Sequence, residues 1–186
     1  MFQARSYKHC RDCGAPVVYQ IPADDTRERA TCTRCGTVFY ENPLNVVGTL
    51  PIWGDQVLLC LRNIEPRKGY WTLPAGFHEL GETTAQGAMR ETVEEAGARI
   101  ELQGLYTLLN VVHVGQVHYF YRARLLDTDF DPGPETIEAK LFHEHELPWE
   151  NLAFRTVKET LAHYFEDRKK AEFPLHTMDI HLPSRS

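Results

Sequence analysis

The sequence predicts an α+β fold: a strand-rich domain over residues 42–172 with two helices, preceded by a small unit over 1–41 that lacks an apolar core. Three observations lead there. Beyond Asn42 and Pro43 the chain is dominated by short runs rich in Val, Leu and Ile, bounded by turn residues. Two longer stretches, 83–96 and 149–170, place apolar residues at helical spacing. The first forty residues show neither pattern, yet they hold four of the five cysteines, in two CxxC pairs.

The pairs are Cys10-Arg-Asp-Cys13-Gly14 and Cys32-Thr-Arg-Cys35-Gly36, with 18 residues between them. That spacing is close to a zinc ribbon's. A CxxC turn sets two thiolates on one side of a tetrahedral Zn²⁺, and the glycine that follows permits the tight backbone. Four thiolates close the ligand shell and leave no place for substrate, so the expected role of Cys10, Cys13, Cys32 and Cys35 is a structural Zn²⁺ replacing the missing core. Arg5, Lys8, Arg11, Arg27, Arg29 and Arg34 lend this unit positive charge without an aromatic array beside it, which favours structure over nucleic-acid binding. His9 is read as a solvent-facing neighbour of Cys10.

Residues 45–52 and 56–62 read as a hairpin turning at Gly54-Asp55. Cys60, inside its second strand, reads as a small buried hydrophobe. The helix over 83–96 has Thr83 or Thr84 to cap its start and Gly97 for a left-handed end. Its expected apolar side is Ala85, Ala88, Met89, Val93 and Ala96. Strands follow over 99–113, 116–126 and 137–142. The helix over 149–170 carries a core stripe of Phe154, Val157, Leu161, Tyr164 and Phe165, and residues 173–186 read as an extended tail.

Hydrophobic residues make up 42% of the 186-residue chain and charged residues 25%, an ordinary globular composition that excludes disorder. A net charge of −6 disfavours extended contact with nucleic acid or anionic membrane, so a small anionic substrate requires a local cationic device. No apolar run approaches the roughly 20 residues of a membrane span, and Met1 to Cys10 lacks a secretory apolar segment. The expectation is a cytoplasmic protein without membrane contact.

The chemistry concentrates between Gly76 and Gly97. On a helix, Glu91, Glu94 and Glu95 stand at i, i+3 and i+4 and crowd one patch. Local rules oppose this: like charges at that spacing cost about 0.2–0.5 kcal/mol, and anions near a helix C-terminus oppose its dipole. A divalent cation reverses both signs, and hard carboxylate donors favour Mg²⁺ or Mn²⁺. Arg90 can steer a carboxylate, and Glu82 can bridge back to the helix or join an outer metal shell.

Gly76, Glu82, Arg90, Glu91, Glu94, Glu95 and Gly97 together resemble the Nudix box, with Thr92 at a conventionally apolar position. Trp71-Thr-Leu-Pro-Ala-Gly76 resembles the strand that enters it, and the resemblance covers about residues 44–168. It implies an α/β/α sandwich with a mixed sheet and Mg²⁺-dependent hydrolysis of a nucleoside diphosphate linked to a group X. Glu91 and Glu95 are then the metal ligands, Glu94 supports or shares an ion, and Glu138 either supplies a further ligand or the general base or is a surface-strand glutamate.

A ribbon joined to such a domain resembles the NADH pyrophosphatases and, through Phe142-His-Glu-His-Glu-Leu-Pro-Trp149 and Leu152-Ala-Phe154, the FAD/ADP-ribose pyrophosphatase-like group. The NADH group's SQPWPFP array is absent, and Asn110-Val-Val-His113-Val-Gly115 lacks the proline of many ADP-ribose hydrolases. FAD is therefore the leading expectation. Phe77, Tyr106, Tyr119 and Tyr121 are candidate stacking surfaces or core, and Arg62 either meets a phosphate or ends a strand in solvent. A non-catalytic nucleotide sensor and an RNA-directed hydrolase are the competing readings, and relatives of this kind suggest a homodimer.

Overall fold

The computed structural model describes residues 7–181; Arg5 of the basic set and residues 182–186 of the expected tail lie outside the described residues. The chain divides between Pro43 and Leu44 into two compact units. In the first, β1 (Val17–Gln20), β2 (Arg29–Cys32) and β3 (Val38–Phe39) form an antiparallel sheet in that order. Its core is only Cys10, Ala15, Ala30, Cys32 and Phe39, with Tyr7 stacked on Phe39 at 5.2 Å. So small a core cannot offset the ordering entropy of the segment, which is where a metal earns its place.

The second unit holds one eight-stranded sheet. β4 (Leu44–Trp53) and β5 (Gln56–Arg62) make the expected hairpin, but they pair only at Ile52–Val57 and Trp53–Gln56. Beyond that they splay, and two short strands fill the gap: β6 (Trp71–Thr72) on β5 and β7 (Ala75–Phe77) on β4. With β8 (Ile100–Val111), β9 (Gln116–Leu125), β10 (Thr136–Phe142) and β11 (His176–Ile180), the main order is β10-β5-β4-β9-β8-β11. β4–β9 and β8–β11 are parallel and the other pairs antiparallel, so the sheet is mixed.

Helix α1 (Thr84–Ala96) covers one face and α2 (Arg155–Lys170) the other. Strand alternation serves both: Leu58 and Cys60 point into the core that includes Ala96, whereas Val57 and Leu59 join Val157, Leu161, Tyr164 and Phe165. Two buried threonine pairs pin the layers together. Thr92 of α1 meets Thr49 of β4 at 2.6 Å, and Thr160 of α2 meets Thr107 of β8 at 3.0 Å. Thr92 also donates to the Ala88 carbonyl at 2.8 Å, so its hydroxyl is satisfied where an apolar side chain is conventional.

Three elements differ from expectation. Helix α2 begins at Arg155, because Leu152 bridges to Trp71 and the Ala153 amide donates to the Trp71 carbonyl; Trp149–Asn151 is a separate 3₁₀ turn. On α1 the buried residues are Gly87, Ala88, Glu91, Thr92, Glu95 and Ala96, whereas Met89 and Val93 are exposed. The helix is rotated so that Glu91 and Glu95, and not Met89 and Val93, face inward. Finally, the stretch read as a tail contains β11, which pairs with β8 and buries Ile180.

A polar cluster secures β11. Asp167 of α2 accepts from Tyr106 Oη at 2.8 Å and lies 2.6 Å from His176 Nε2, and the His176 ring stacks on His163 at 3.9 Å. Burial alone would raise the Asp167 carboxyl, but the bonds to His176 and Tyr106 prevail and hold it below the usual aspartate value. Asp167→Ala leaves the buried Tyr106 hydroxyl without its acceptor, and a loss of roughly 1–3 kcal/mol in urea unfolding is expected.

Candidate active site

The four cysteines converge. Their sulfurs lie within 4.8 Å of one another, with Cys10–Cys35 at 3.7 Å, Cys13–Cys32 at 3.5 Å and Cys13–Cys35 at 3.6 Å. A tetrahedron with Zn–S bonds of about 2.3 Å has edges of about 3.8 Å, so the cage fits Zn²⁺. The amides of Cys35 and Arg34 each sit 3.4 Å from Cys32 Sγ and bring its thiol down to about 6, favouring the thiolate. His9 is exposed, beside the cage and not in it.

In the second unit, a cleft of about 990 Å³ runs from the inner side of α1 past the splayed ends of β4 and β5 to the first turn of α2. Helix α1 is fixed at both ends. Thr83 Oγ1 accepts from the Gln86 amide at 3.2 Å while Gln86 Oε1 accepts from the Thr83 amide at 2.8 Å, a capping box. Gly97 closes the helix at φ 61°, and a β-carbon there would stand 2.4 Å from the Asp131 carbonyl oxygen. Gly76 matters differently: its β-carbon would lie 2.3 Å from a Glu91 carboxylate oxygen, so its hydrogen leaves room for that carboxylate.

Arg90 is the strap of the cleft. Its Nε and Nη2 grip Glu82 at 3.0 and 2.8 Å, Nη1 reaches Glu91 at 2.6 Å and Glu94 at 3.1 Å, and Nη2 also donates to the Phe77 carbonyl at 3.1 Å. All five guanidinium donors are used. The pairing with Arg90 brings Glu82 down to about 2. Glu82 therefore ties the entry loop to the helix, and Glu91 and Glu94 share one cation.

Glu95 lies deeper, 8% exposed, and accepts from the Ala75 amide at 3.0 Å. Burial pushes its carboxyl up to about 7; the Ala75 amide and Arg62 oppose, and the Glu91 and Glu135 carboxylates add to the rise. Glu91 is raised as well, chiefly by burial. Buried, mutually repelling carboxylates lining a cleft are the donor set a hard divalent cation stabilises, so Glu91 and Glu95 fit Mg²⁺ or Mn²⁺. The three helix carboxylates share the cleft wall, but their oxygens are not gathered within one ligand shell; among the described residues only the cysteines are.

Glu138 does not reach the cleft. Its strand neighbours Ala139 and Leu141 pack in the α1-side core, so alternation along β10 turns Glu138, itself exposed, to the other face. Glu135, just before the strand, lines the cleft instead. Arg62 is not a solvent-exposed strand end: it is 9% exposed, stacks over Phe154 at 5.0 Å and lines the cleft. Arg67 and Arg155 line it too, so at least three arginines stand along the cleft of this net acidic chain. Of the four aromatic candidates only Phe77 is at the cleft; Tyr106 is core, and the Tyr121 hydroxyl meets Thr84 at 2.6 Å. Arg67, Glu135 and Arg155 come from three separate segments with no motif, and only the fold assembles them.

Family comparison decides the assignment. The family model for the NUDIX domain matches residues 43–165, and the Nudix N-terminal zinc ribbon model matches 8–41. This chain belongs to the Nudix hydrolase family. A crystal structure of a NUDIX hydrolase from Nitrosomonas europaea is 46% identical, with a TM-score of 0.90 over 94% of this chain and 99% of that one. An ADP-ribose pyrophosphatase from Streptococcus suis shares the Nudix fold at 22% identity, with a TM-score of 0.57 over 75% of this chain and all of that one. Among curated proteins, the NAD-capped RNA hydrolase NudC of Salmonella paratyphi C is 27% identical over 173 residues, 85% of this chain and 62% of NudC. The Nudix chain thus spans about three fifths of that relative's length.

In the same Nudix cleft, burial pushes His118 down to about 4. Between that value and the ordinary value of about 6.5, the unfolded chain binds a proton that the folded chain refuses, so stability falls as pH drops through this window. His118→Gln should flatten the fall in Tm between pH 6.5 and 4 by roughly a few degrees, read by calorimetry.

Proposed function

We propose that this chain hydrolyses the pyrophosphate of a nucleoside diphosphate linked to a second group, with FAD and ADP-ribose as leading substrates and Mg²⁺ or Mn²⁺ as the ion. One observation carries the reading: Glu91 and Glu95 share a cleft with Arg62, Arg67 and Arg155, acidic and basic walls suited to a cation and a diphosphate together. Water adds to one phosphorus, the bridging P–O bond breaks, and AMP leaves with a phosphorylated partner. Glu91 and Glu95, with Glu94 in support, would hold a divalent cation, which would supply charge neutralisation and acidify water. Arg90 positions Glu91 and Glu94. The arginines hold the phosphates, and Glu135 accepts the proton of the attacking water.

Cleavage of an NAD-type dinucleotide is a second reading, supported by the similarity to NudC. The test is Mg²⁺-dependent release of AMP from FAD, ADP-ribose, NADH and diadenosine polyphosphates. Turnover of one member supports the hydrolase and ranks the substrates. Binding without turnover of any member would favour a nucleotide-sensing module.

A further inference from the structure

Glu135 sits in a short turn, yet the chain around it is fastened on two sides. Across residues 133–136 the Thr136 amide donates to the Gly133 carbonyl at 3.0 Å, with Pro134 and Glu135 as the central residues. Pro134 at the first central position presets the backbone for such a turn. On one side the segment rests on the end of α1. The Asp131 amide donates to the Ala96 carbonyl at 3.1 Å, and a β-carbon on Gly133 would stand 2.1 Å from the Glu94 carbonyl oxygen. Gly133 does not adopt a left-handed backbone, so that contact alone excludes a larger residue.

On the other side stands Asn63, the residue after β5. Its amide donates to the Glu135 carbonyl at 2.8 Å and its Nδ2 to the Pro134 carbonyl at 2.9 Å, so one residue holds both central carbonyls of the turn. Pro134 and Glu135 are exposed, and water would satisfy those carbonyls equally well. What Asn63 adds is a fixed place. Glu135 needs one, because Glu91 and Glu95 repel its carboxylate and would drive a loosely held side chain out towards solvent.

We infer that Asn63 and Gly133 are positioning residues for Glu135, clamping its backbone between the end of β5 and α1 so that its carboxylate stays at the cleft. The assignment rests on the hydrolase reading above, in which Glu135 accepts a proton from water, and names what keeps that group in reach.

The test combines kinetics with backbone relaxation. Asn63→Ala removes the Nδ2 donor, and Gly133→Ala forces the turn away from α1. On the dinucleotide that wild type turns over, kcat should fall roughly three- to tenfold in Asn63→Ala and tenfold or more in Gly133→Ala, with KM changed less than about twofold. Asn63 is exposed, so its variant carries the test should Gly133→Ala fail to fold. In a Glu135→Gln background, Asn63→Ala should lower the remaining kcat less than about twofold, because no carboxylate is left to misplace. The ¹⁵N order parameter of the Glu135 amide, read without substrate or metal, should match that of Thr136 in wild type and drop in Asn63→Ala. A rise in KM with kcat unchanged, an undiminished loss in the Glu135→Gln background, or an unaltered order parameter in Asn63→Ala overturns the clamp. Absence of turnover by wild type removes the hydrolase reading instead, and the order parameter then decides alone whether Asn63 fixes the turn.

Discussion

Glu95→Gln is expected to lower Mg²⁺-dependent hydrolysis roughly a hundredfold or more, while the protein stays folded. The substitution preserves shape and the Oε acceptor used by the Ala75 amide, but removes the charge proposed to hold a cation. The same assay discriminates the two later glutamates. Glu135→Gln, at the cleft, should reduce kcat by roughly ten- to a hundredfold, and Glu138→Gln, on the opposite face, should change it less than about twofold. A large loss in Glu138→Gln with none in Glu135→Gln would reverse the assignment drawn from strand alternation. Folding of each variant is checked by Tm; replacing Glu95, a buried carboxylate repelled by Glu91, should not lower it.

Removal of zinc is the second large effect. Structural zinc contributes about 10–16 kcal/mol in isolated zinc-finger peptides, far more than a five-residue core can supply. Chelation, or Cys13→Ser, should therefore unfold the first unit. Backbone amide signals from Val17–Gln20 and Arg29–Cys32 should collapse towards random-coil positions. The second unit has its own sheet and core, so the signals of Leu44–Trp53 should persist. Retention of the first unit's dispersed signals with zinc stoichiometrically absent would show that the cysteine cage is dispensable.

Much of this was legible because local chemistry and tertiary outcome agree. The CxxC pairs, the capped start at Thr83, the left-handed Gly97 and the Gly54-Asp55 turn are local, and each stands where the sequence places it. What failed depended on partners far away in sequence. Met89 and Val93 look like core by spacing, yet tertiary packing gives the inward face of α1 to Glu91, Thr92 and Glu95. Glu135 belongs to no motif, so its place at the cleft is set by the fold alone. Strand β11 was invisible because an edge strand of five residues with alternating exposure, HTMDI, carries little apolar signal until β8 is there to pair with.

Strand β11 also sets an order of assembly. Its residues pair with positions 107–111, nearly seventy residues earlier, while the hairpins β4–β5 and β8–β9 close over short distances. Loop-closure entropy makes such a distant parallel pairing among the slowest contacts to form. A chain emerging from the ribosome can thus build the wall that carries Glu91 and Glu95 well before Ile180 arrives to complete the lining of the same cleft.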